Sequence, residues 1–342
     1  MYTPDTINLP KDPFSYLPPD NTDYTMFAGK TICRFIFESQ KYLPENAWWL
    51  AETCLQAYAE KQAGIDGLKE AFVQFKPETD DFVEFVEEPT LGTDVYVVRC
   101  KEFNLVVFRG SEVLSRKNLT WHQFCDGFKD WVLTDANAVQ RKWKGHFVHC
   151  GFADAYDRVR AGLYKALQVG SKPYLTKKLL ITGHSLGGAI ATLCAADLWL
   201  FEKTHKRPDA IYTFGSPFVV GKELGDRLDE LTIFRIVNGV DLVARVPITD
   251  NVVGGRPYRH VGTFTHISST GTSVSQPRKD PPQLADLINS MVGLLPQMSS
   301  LAPILFAGDL ANLVPRPISD HAPRCYSTHL WNNWVKDWRR RN

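Results

Sequence analysis

The sequence predicts an α/β fold in which a mainly parallel sheet is flanked by helices. Short apolar runs that suit buried strands alternate with longer segments of helical period through the middle of the 342-residue chain. One of these runs leads directly into a serine between glycines and then into an apolar helix. No internal repeat or marked boundary interrupts the pattern, so we expect one domain covering residues 1–342.

The predicted elements follow the order of a layered α/β protein. Residues 1–25 are rich in Pro, Asp and Tyr and are expected to form an extended N-terminal arm. Residues 46–59 have the period of an amphipathic helix. Strands are predicted at residues 94–98, 105–108, 179–181, 210–214 and 233–237, and further helices at 152–167 and 189–199. Strands that alternate with helices in this way favour parallel pairing.

Composition and charge exclude several classes of protein. The chain is 44% hydrophobic and 23% charged, which is typical of a soluble globular protein, and its net charge of +1 indicates no nucleic-acid partner. No apolar run reaches the roughly 18 residues of a transmembrane helix. The first residues also lack the basic and apolar regions of a signal peptide. We therefore expect a cytoplasmic protein, or one exported without a recognisable signal peptide.

The seven cysteines are odd in number and scattered along the chain. They form no Cys-x-x-Cys pair and accompany no His-Glu-x-x-His motif, which are common spacings of metal ligands. We expect free, buried thiols, with a single disulfide as the alternative, and neither a metal nor an organic cofactor.

Residues 177–188 carry the clearest functional pattern of the chain. A buried strand is followed by Gly183-His184-Ser185-Leu186-Gly187 and then by an alanine-rich helix, which is the layout of a nucleophile elbow. Gly183 and Gly187 leave room for the sharp turn. The helix N-terminus directs amide hydrogens and a partial positive charge at Ser185. Because the motif is short, a tight glycine turn with an incidental serine is the alternative.

The acid of such a site is expected in a loop just beyond a later strand. Asp241 fits, because residues 233–237 form a predicted strand and Asn238-Gly239 predicts a turn before it. Asp250 is the alternative, although it lies beyond a proline in a sequence typical of a turn.

Four histidines follow Asp241 in the chain and could supply the general base. His321 is preferred, because it lies in a loop just before the terminal helix. His329 is the alternative, although it would lie inside that helix. His260 falls in a predicted strand and is expected to be structural, and His266 lies in a strand or turn rich in threonine and serine.

Two donors are expected to form an oxyanion hole. The backbone N–H of Leu186, directly after the serine, is the first, and the second comes from a loop after an earlier strand. Residues 105–108 form such a strand, and Ser111 beyond it offers both a backbone N–H and a hydroxyl. A simple turn serine is the alternative for Ser111. Arg109 is expected to be a structural ion-pair partner.

Several short motifs occur in a fixed order along most of the chain. They are Val107-Phe108-Arg109-Gly110-Ser111, Asp130-Trp131, Val148-His149-Cys150-Gly151-Phe152, Gly183-His184-Ser185-Leu186-Gly187-Gly188, Tyr212-Thr213-Phe214-Gly215-Ser216-Pro217, Arg235-Ile236-Val237-Asn238, Tyr258-Arg259-His260-Val261-Gly262 and Asp320-His321. In these motifs the chain resembles the class 3, fungal-type triacylglycerol lipases of the α/β-hydrolase fold. The resemblance implies a catalytic triad of Ser185, Asp241 and His321, with Ser111 as the oxyanion serine.

Two segments depart from compact members of that family. Residues 112–129, where the family has its lid, are longer here and carry Trp121, Phe124 and Phe128 at helical spacing. We expect a lid that turns its apolar face to lipid, with a permanently packed helix as the alternative. Residues 268–314 are expected to form a helical insertion that either packs on the core or contacts lipid as a cap.

The sequence therefore predicts a serine carboxylic-ester hydrolase. We expect a lipase that cleaves acylglycerol esters through an acyl-enzyme and makes transient contact with a lipid interface. The alternatives are a short-chain carboxylesterase, a phospholipase A1 or galactolipid hydrolase, an acyltransferase, and a non-catalytic lipid-binding protein on the same fold. The sequence leaves the oligomeric state open.

Overall fold

The computed structural model describes residues 4–9, 24–88, 92–110, 140–241, 243–245, 258–275 and 320–342. Several expectations fall outside these residues and stay predictions: Ser111, the lid at 112–129, Asp250 and positions 276–314 of the helical insertion.

The helices and strands alternate along the chain as expected. The helices are α1 (Pro44–Gln56), α2 (Lys61–Phe72), α3 (Cys150–Leu167), α4 (Lys172–Thr176), α5 (Leu186–Ala196), α6 (Lys222–Leu228) and α7 (Pro323–Arg341). The strands are β1 (Val83–Val86), β2 (Val95–Arg99), β3 (Phe103–Phe108), β4 (Gln140–Trp143), β5 (His146–His149), β6 (Lys178–His184), β7 (Ala210–Phe214), β8 (Val220–Gly221), β9 (Ile233–Asn238), β10 (Tyr258–Arg259), β11 (Thr263–Ile267) and β12 (Thr272–Ser275).

A mixed sheet lies at the centre of the described residues, with eight strands in the order β1-β2-β3-β6-β7-β9-β11-β12. The inner strands from β3 to β11 pair in parallel, whereas β1, β2 and β12 pair antiparallel at the two sides. The predicted α/β class with a mainly parallel sheet is confirmed. Since parallel strands end at one edge, the loops after β6 and β9 open on the same side of the molecule.

The side chains of the central strands alternate between two apolar layers. In β2, Val95 and Val97 pack on one face together with α3 and α5, whereas Tyr96 and Val98 pack on the other with α1, α2 and α7. A sheet covered on both faces needs apolar residues at every position. This explains why the sequence of these strands shows continuous apolar runs.

A second sheet was not predicted from the sequence. It contains β4, β5, β8 and β10 in the order β10-β8-β5-β4, and all its pairs are antiparallel. Two of its strands have only two residues, which is too short to show any periodicity. Helix α3 begins directly after β5 at Cys150, two residues before its predicted start.

The prediction of an amphipathic first helix was wrong. Positions 46–56 of α1 are all buried, including Asn46, Glu52 and Gln56. The reason is that α7 covers the outer side of α1. The indole rings of Trp48 and Trp331 lie 4.9 Å apart between the two helices, and Trp334 donates a hydrogen bond to Glu45.

Residues 4–9 of the predicted arm run along α7 without forming helix or strand. Asn332 holds this segment by accepting a hydrogen bond from the backbone N–H of Ile7 at 2.7 Å and donating one to its carbonyl at 2.8 Å. Leu9 packs against Ala322 and Cys325 at the start of the same helix. The two ends of the described chain therefore meet on α7.

Candidate active site

Ser185 occupies the sharp turn between β6 and α5. Its backbone has φ +59° and ψ −129°, a conformation that costs an L-residue energy and is kept only where its surroundings enforce it. A Cβ on Gly183 would lie 2.2 Å from the carbonyl oxygen of Gly187. A Cβ on Gly187 would lie equally close to the carbonyl oxygen of Phe108. Neither glycine can therefore carry a side chain without moving the backbone.

The structure brings Ser185, His321 and Asp241 into one hydrogen-bonded chain. His321 Nε2 lies 2.8 Å from Ser185 Oγ, and His321 Nδ1 lies 2.9 Å from Asp241 Oδ2. All three residues are at most 4% exposed. A carboxylate only accepts hydrogen bonds, so Nδ1 carries the imidazole proton and Nε2 is left to accept the serine proton.

Asp241 is held by two donors besides His321. The backbone N–H of Val243 donates to Oδ1 at 2.8 Å, and the Tyr326 hydroxyl donates to Oδ2 at 2.5 Å. Burial and the negative charge of Asp241 raise the pKa of Tyr326 well above its usual range, so it stays a neutral donor. Tyr326 was not predicted from the sequence. The feature of the sequence that could have indicated Tyr326 is its position five residues after His321, on the first turns of a predicted helix.

Replacing Tyr326 with Phe is expected to lower the free energy of unfolding by about 1–3 kcal/mol, because a buried carboxylate loses one hydrogen bond. The turnover rate should fall less than about tenfold, since His321 and Val243 still hold Asp241. Urea unfolding and ester hydrolysis measure the two effects. Unchanged stability in this variant would contradict the hydrogen bond.

Gly215 provides the space in which the acid and the base meet. It follows β7 with φ +59°, and a Cβ there would lie 2.6 Å from Asp241 Oδ2 and 2.9 Å from His321 Nδ1. Any larger residue would push the carboxylate and the imidazole apart. Gly215 belongs to one of the motifs recognised in the sequence, but no role was predicted for it.

His184, the residue before the serine, is buried and forms a hydrogen bond through each of its two ring nitrogens. Its Nε2 lies 2.7 Å from the backbone carbonyl of His321, and its Nδ1 lies 2.8 Å from the hydroxyl of Tyr58. Because a carbonyl only accepts, Nε2 carries the proton and Nδ1 accepts from Tyr58. Burial lowers the pKa of His184 well below its usual range, and the adjacent His321 lowers it further. A neutral His184 thus connects the elbow to the loop that carries His321.

The carboxyl end of β3 lies beside the nucleophile elbow. Leu186 opens α5, so its backbone N–H has no acceptor within the helix. A Cβ on Gly110, two residues beyond β3, would lie 2.9 Å from the carbonyl oxygen of His184. The chain that leaves β3 therefore reaches the elbow at Gly110, one residue before Ser111 in the sequence. Arg109 forms the expected ion pair, with Asp94 at 2.8 Å.

The other candidate histidines lie elsewhere and bind structural partners. His260 follows β10 and contacts the Ala244 carbonyl through Nε2 at 2.8 Å, whereas His266 lies in β11 and contacts the Gly239 carbonyl at the same distance. His329 contacts the Asn238 side chain at 2.7 Å, and burial lowers its pKa to about 4. None of these side chains is hydrogen bonded to Ser185 or Asp241.

Within the residues that the structure describes, no cluster of three or more His, Cys, Asp or Glu side chains is arranged to hold a metal ion. The six described cysteines are all free thiols, and five of them are buried. No helix in the described ranges is long and apolar enough to cross a membrane.

Comparisons with known proteins show what this chain is similar to. Residues 105–251 match the family model described as lipase (class 3), a range that contains Ser185 and Asp241. The chain is 36% identical over 137 residues to the secreted mono- and diacylglycerol lipase 1 of Fusarium solani, covering 39% of this chain and 38% of the relative. It is 32% identical over 147 residues to a Rhizomucor miehei lipase, covering 42% of this chain and 37% of the relative. The chain thus spans less than half the length of either relative.

Solved structures agree on the fold. The triacylglyceride lipase of Rhizomucor miehei superposes with a TM-score of 0.55 at 22% identity, over 82% of this chain and 96% of that one. Lipase II of Rhizopus niveus superposes with a TM-score of 0.52 at 22% identity, over 74% of this chain and 90% of that one. These neighbours show the α/β-hydrolase fold for this chain, and residues 105–251 are similar to the class 3 lipase family.

Proposed function

We propose that the chain is a serine lipase that hydrolyses acylglycerol esters through a covalent acyl-enzyme. The observation that carries the proposal is the buried hydrogen-bonded chain from Ser185 through His321 to Asp241. The names of the relatives support the substrate class, since one is a mono- and diacylglycerol lipase.

The geometry suits acyl transfer in two steps. His321 Nε2 takes the proton of Ser185 Oγ as the oxygen attacks the ester carbonyl, and then gives that proton to the leaving alcohol. Water gives a proton to the same nitrogen as it attacks the acyl carbon, and that proton then passes to Ser185 Oγ as the bond to the acyl group breaks and the fatty acid leaves. Asp241 holds the imidazole with its proton on Nδ1 and stabilises the imidazolium that forms.

Stabilisation of the oxyanion completes the proposed mechanism. As the carbonyl carbon becomes tetrahedral, its oxygen gains negative charge and needs donors that are already in place. The N–H of Leu186, at the positive end of α5, is one proposed donor. Ser111 is the proposed second donor. No step requires a metal or an organic cofactor.

Initial hydrolysis rates on acyl esters of increasing chain length, each followed through its solubility limit, test the substrate class. We expect the rate on long-chain acylglycerols to rise sharply once an interface forms, because a lipase acts on aggregated lipid. Smooth saturation with the best rates on short, dissolved esters would instead indicate a carboxylesterase. Phospholipid substrates in the same series test for phospholipase A1 activity. No hydrolysis of any ester would refute the proposed function.

We further propose that the protein contacts lipid transiently and is exported. The name of the Fusarium solani relative, a secreted lipase, supports export. Measuring esterase activity in the medium and in washed cells of the producing organism tests this. Activity confined to the cells would overturn the export proposal and leave the proposed chemistry intact.

A further inference from the structure

Asp320 precedes the proposed base and has no part in the mechanism above, yet its carboxylate lies against the loop of the proposed acid. The backbone N–H of Val240, directly before Asp241, donates to Asp320 Oδ2 at 2.9 Å. The carboxylate is also so close to the backbone of Gly239 that a Cβ there would lie 2.2 Å from Oδ2. Residues 239–240 and Asp320 thus form a direct contact between the two loops.

A second hydrogen bond fixes the backbone of Asp320. The side-chain amide of Asn238 donates to the Asp320 carbonyl at 2.9 Å. The Asn238 oxygen in turn accepts from His329 Nδ1 at 2.7 Å, which connects this contact to α7. Both bonds are donated by residues 238–240 and accepted by Asp320, one by its carboxylate and the other by its backbone carbonyl.

The loop that carries Asp241, residues 239–241 (the acid loop), is also fixed by the central sheet. The backbone N–H of Gly239 donates to the Ile267 carbonyl at 2.8 Å, and His266 Nε2 donates to the Gly239 carbonyl at 2.8 Å. The acid loop is therefore anchored to β11. The loop that carries His321, residues 320–322 (the base loop), is anchored to the acid loop through Asp320. Val240 and Asp320, which are hydrogen bonded to each other, lie one residue before Asp241 and His321 respectively.

We propose that Asp320, together with Asn238, is a positioning residue that sets the separation of the Asp241 carboxylate and the His321 imidazole. The role rests on the proposed hydrolase function. The 2.9 Å spacing between His321 Nδ1 and Asp241 Oδ2 has little tolerance, because a misplacement of about 1 Å in a catalytic group can cost about 100-fold in rate. Asp320 fixes that spacing without touching the substrate.

The test compares Asp320→Ala, Asp320→Asn and wild type by ester hydrolysis and by reaction of Ser185 with a small soluble fluorophosphonate. Asp320→Ala is expected to lower kcat and the labelling rate constant by about 10- to 100-fold, with KM within about twofold. Asp320→Asn keeps an oxygen that accepts from Val240 and should recover to within about threefold of wild type. Asp337→Ala, which removes an exposed aspartate paired with Arg340 on α7, is the control for loss of charge and should match wild type.

The labelling experiment separates alignment from folding. The final fraction of labelled protein reports how much of it is folded, whereas the rate constant reports how well Ser185 is activated. A reduced labelled fraction with a normal rate constant would overturn the positioning role, as would wild-type kinetics in Asp320→Ala. Equal losses in Asp320→Ala and Asp320→Asn would overturn the hydrogen bond to Val240 as the cause.

A variant on the opposite side of the contact covers the case in which Asp320→Ala does not fold. Asn238→Ala removes the hydrogen bond to the Asp320 carbonyl and should likewise lower kcat and the labelling rate constant with KM retained. A normal rate constant in this variant would contradict the proposal. A wild-type protein that neither hydrolyses esters nor reacts with the fluorophosphonate would refute the hydrolase function itself, which is a separate result.

Discussion

Ser185→Ala is expected to reduce ester hydrolysis by about 10³- to 10⁶-fold, the range found when the nucleophile of a Ser-His-Asp site is removed. In the proposed mechanism the Ser185 oxygen bonds to the acyl carbon and its proton passes to His321 Nε2, which lies 2.8 Å away. The variant should also fail to react with a fluorophosphonate. Rates are measured on a soluble ester, so that binding to an interface does not mask the loss.

The folded state should survive this substitution, which separates loss of chemistry from loss of structure. Ser185 has φ +59° and makes no capping bond to α5, so alanine loses little in stability, whereas Ser185→Gly should be more stable by about 1 kcal/mol because the strain is relieved. Ser171→Ala is a matched control. It removes the serine that caps α4 near the opposite end of β6 and should keep full activity. Hydrolysis by Ser185→Ala near the wild-type rate would refute the assignment of the nucleophile.

The elbow and the three members of the proposed triad could be identified from the sequence, because each leaves a local signal. Ser185 lies between glycines at a strand-to-helix turn, Asp241 follows a strand and a glycine turn, and His321 precedes a helix. A parallel sheet then brings such loops to one edge whatever the details of packing.

The partners of these residues could not be predicted, because the contacts join distant parts of the chain. Tyr58 and His184 are 126 residues apart, and Tyr326 and Asp241 are 85 residues apart. Tyrosines and histidines are as common in cores as in sites, so nothing in the sequence marks these four as contacts. The wrong expectation for α1 has the same origin, since only the packing of α7 shows why polar residues of that helix are buried.

His184 illustrates how the site depends on more than its three proposed catalytic members. Its ring lies 4.7 Å from the ring of His321 and donates to the backbone of the same residue. Asn238 and Asp320 hold the preceding residue from the opposite side. The base loop is therefore fixed by the elbow and by the acid loop at once. This arrangement leaves the imidazole little freedom except the proton transfers that the proposed mechanism requires.

Asp241→Asn is expected to lower kcat by about 10⁴-fold while the protein stays folded, because the change affects the imidazole tautomer and not the shape of the site. An asparagine amide that keeps its oxygen on the Val243 N–H presents its NH₂ group to His321 Nδ1. The imidazole must then accept at Nδ1 and carry its proton on Nε2, which faces Ser185 and can no longer take the serine proton. Rates at neutral pH, with unfolding measured in parallel, check this expectation.

Two matched controls sharpen the assignment of acid and base. Asp250→Asn, at the other aspartate that the sequence offered, should change the rate less than about threefold, because Asp241 already accepts from His321 Nδ1. His260→Gln should likewise retain turnover, because its ring contacts the Ala244 carbonyl and not the serine. A loss below about tenfold in Asp241→Asn would contradict its role, since a tautomer error alone costs far more. If Asp250→Asn instead showed the large loss, the carboxylate that orients His321 in solution would be Asp250, and the contact at 2.9 Å between Asp241 and His321 would be structural.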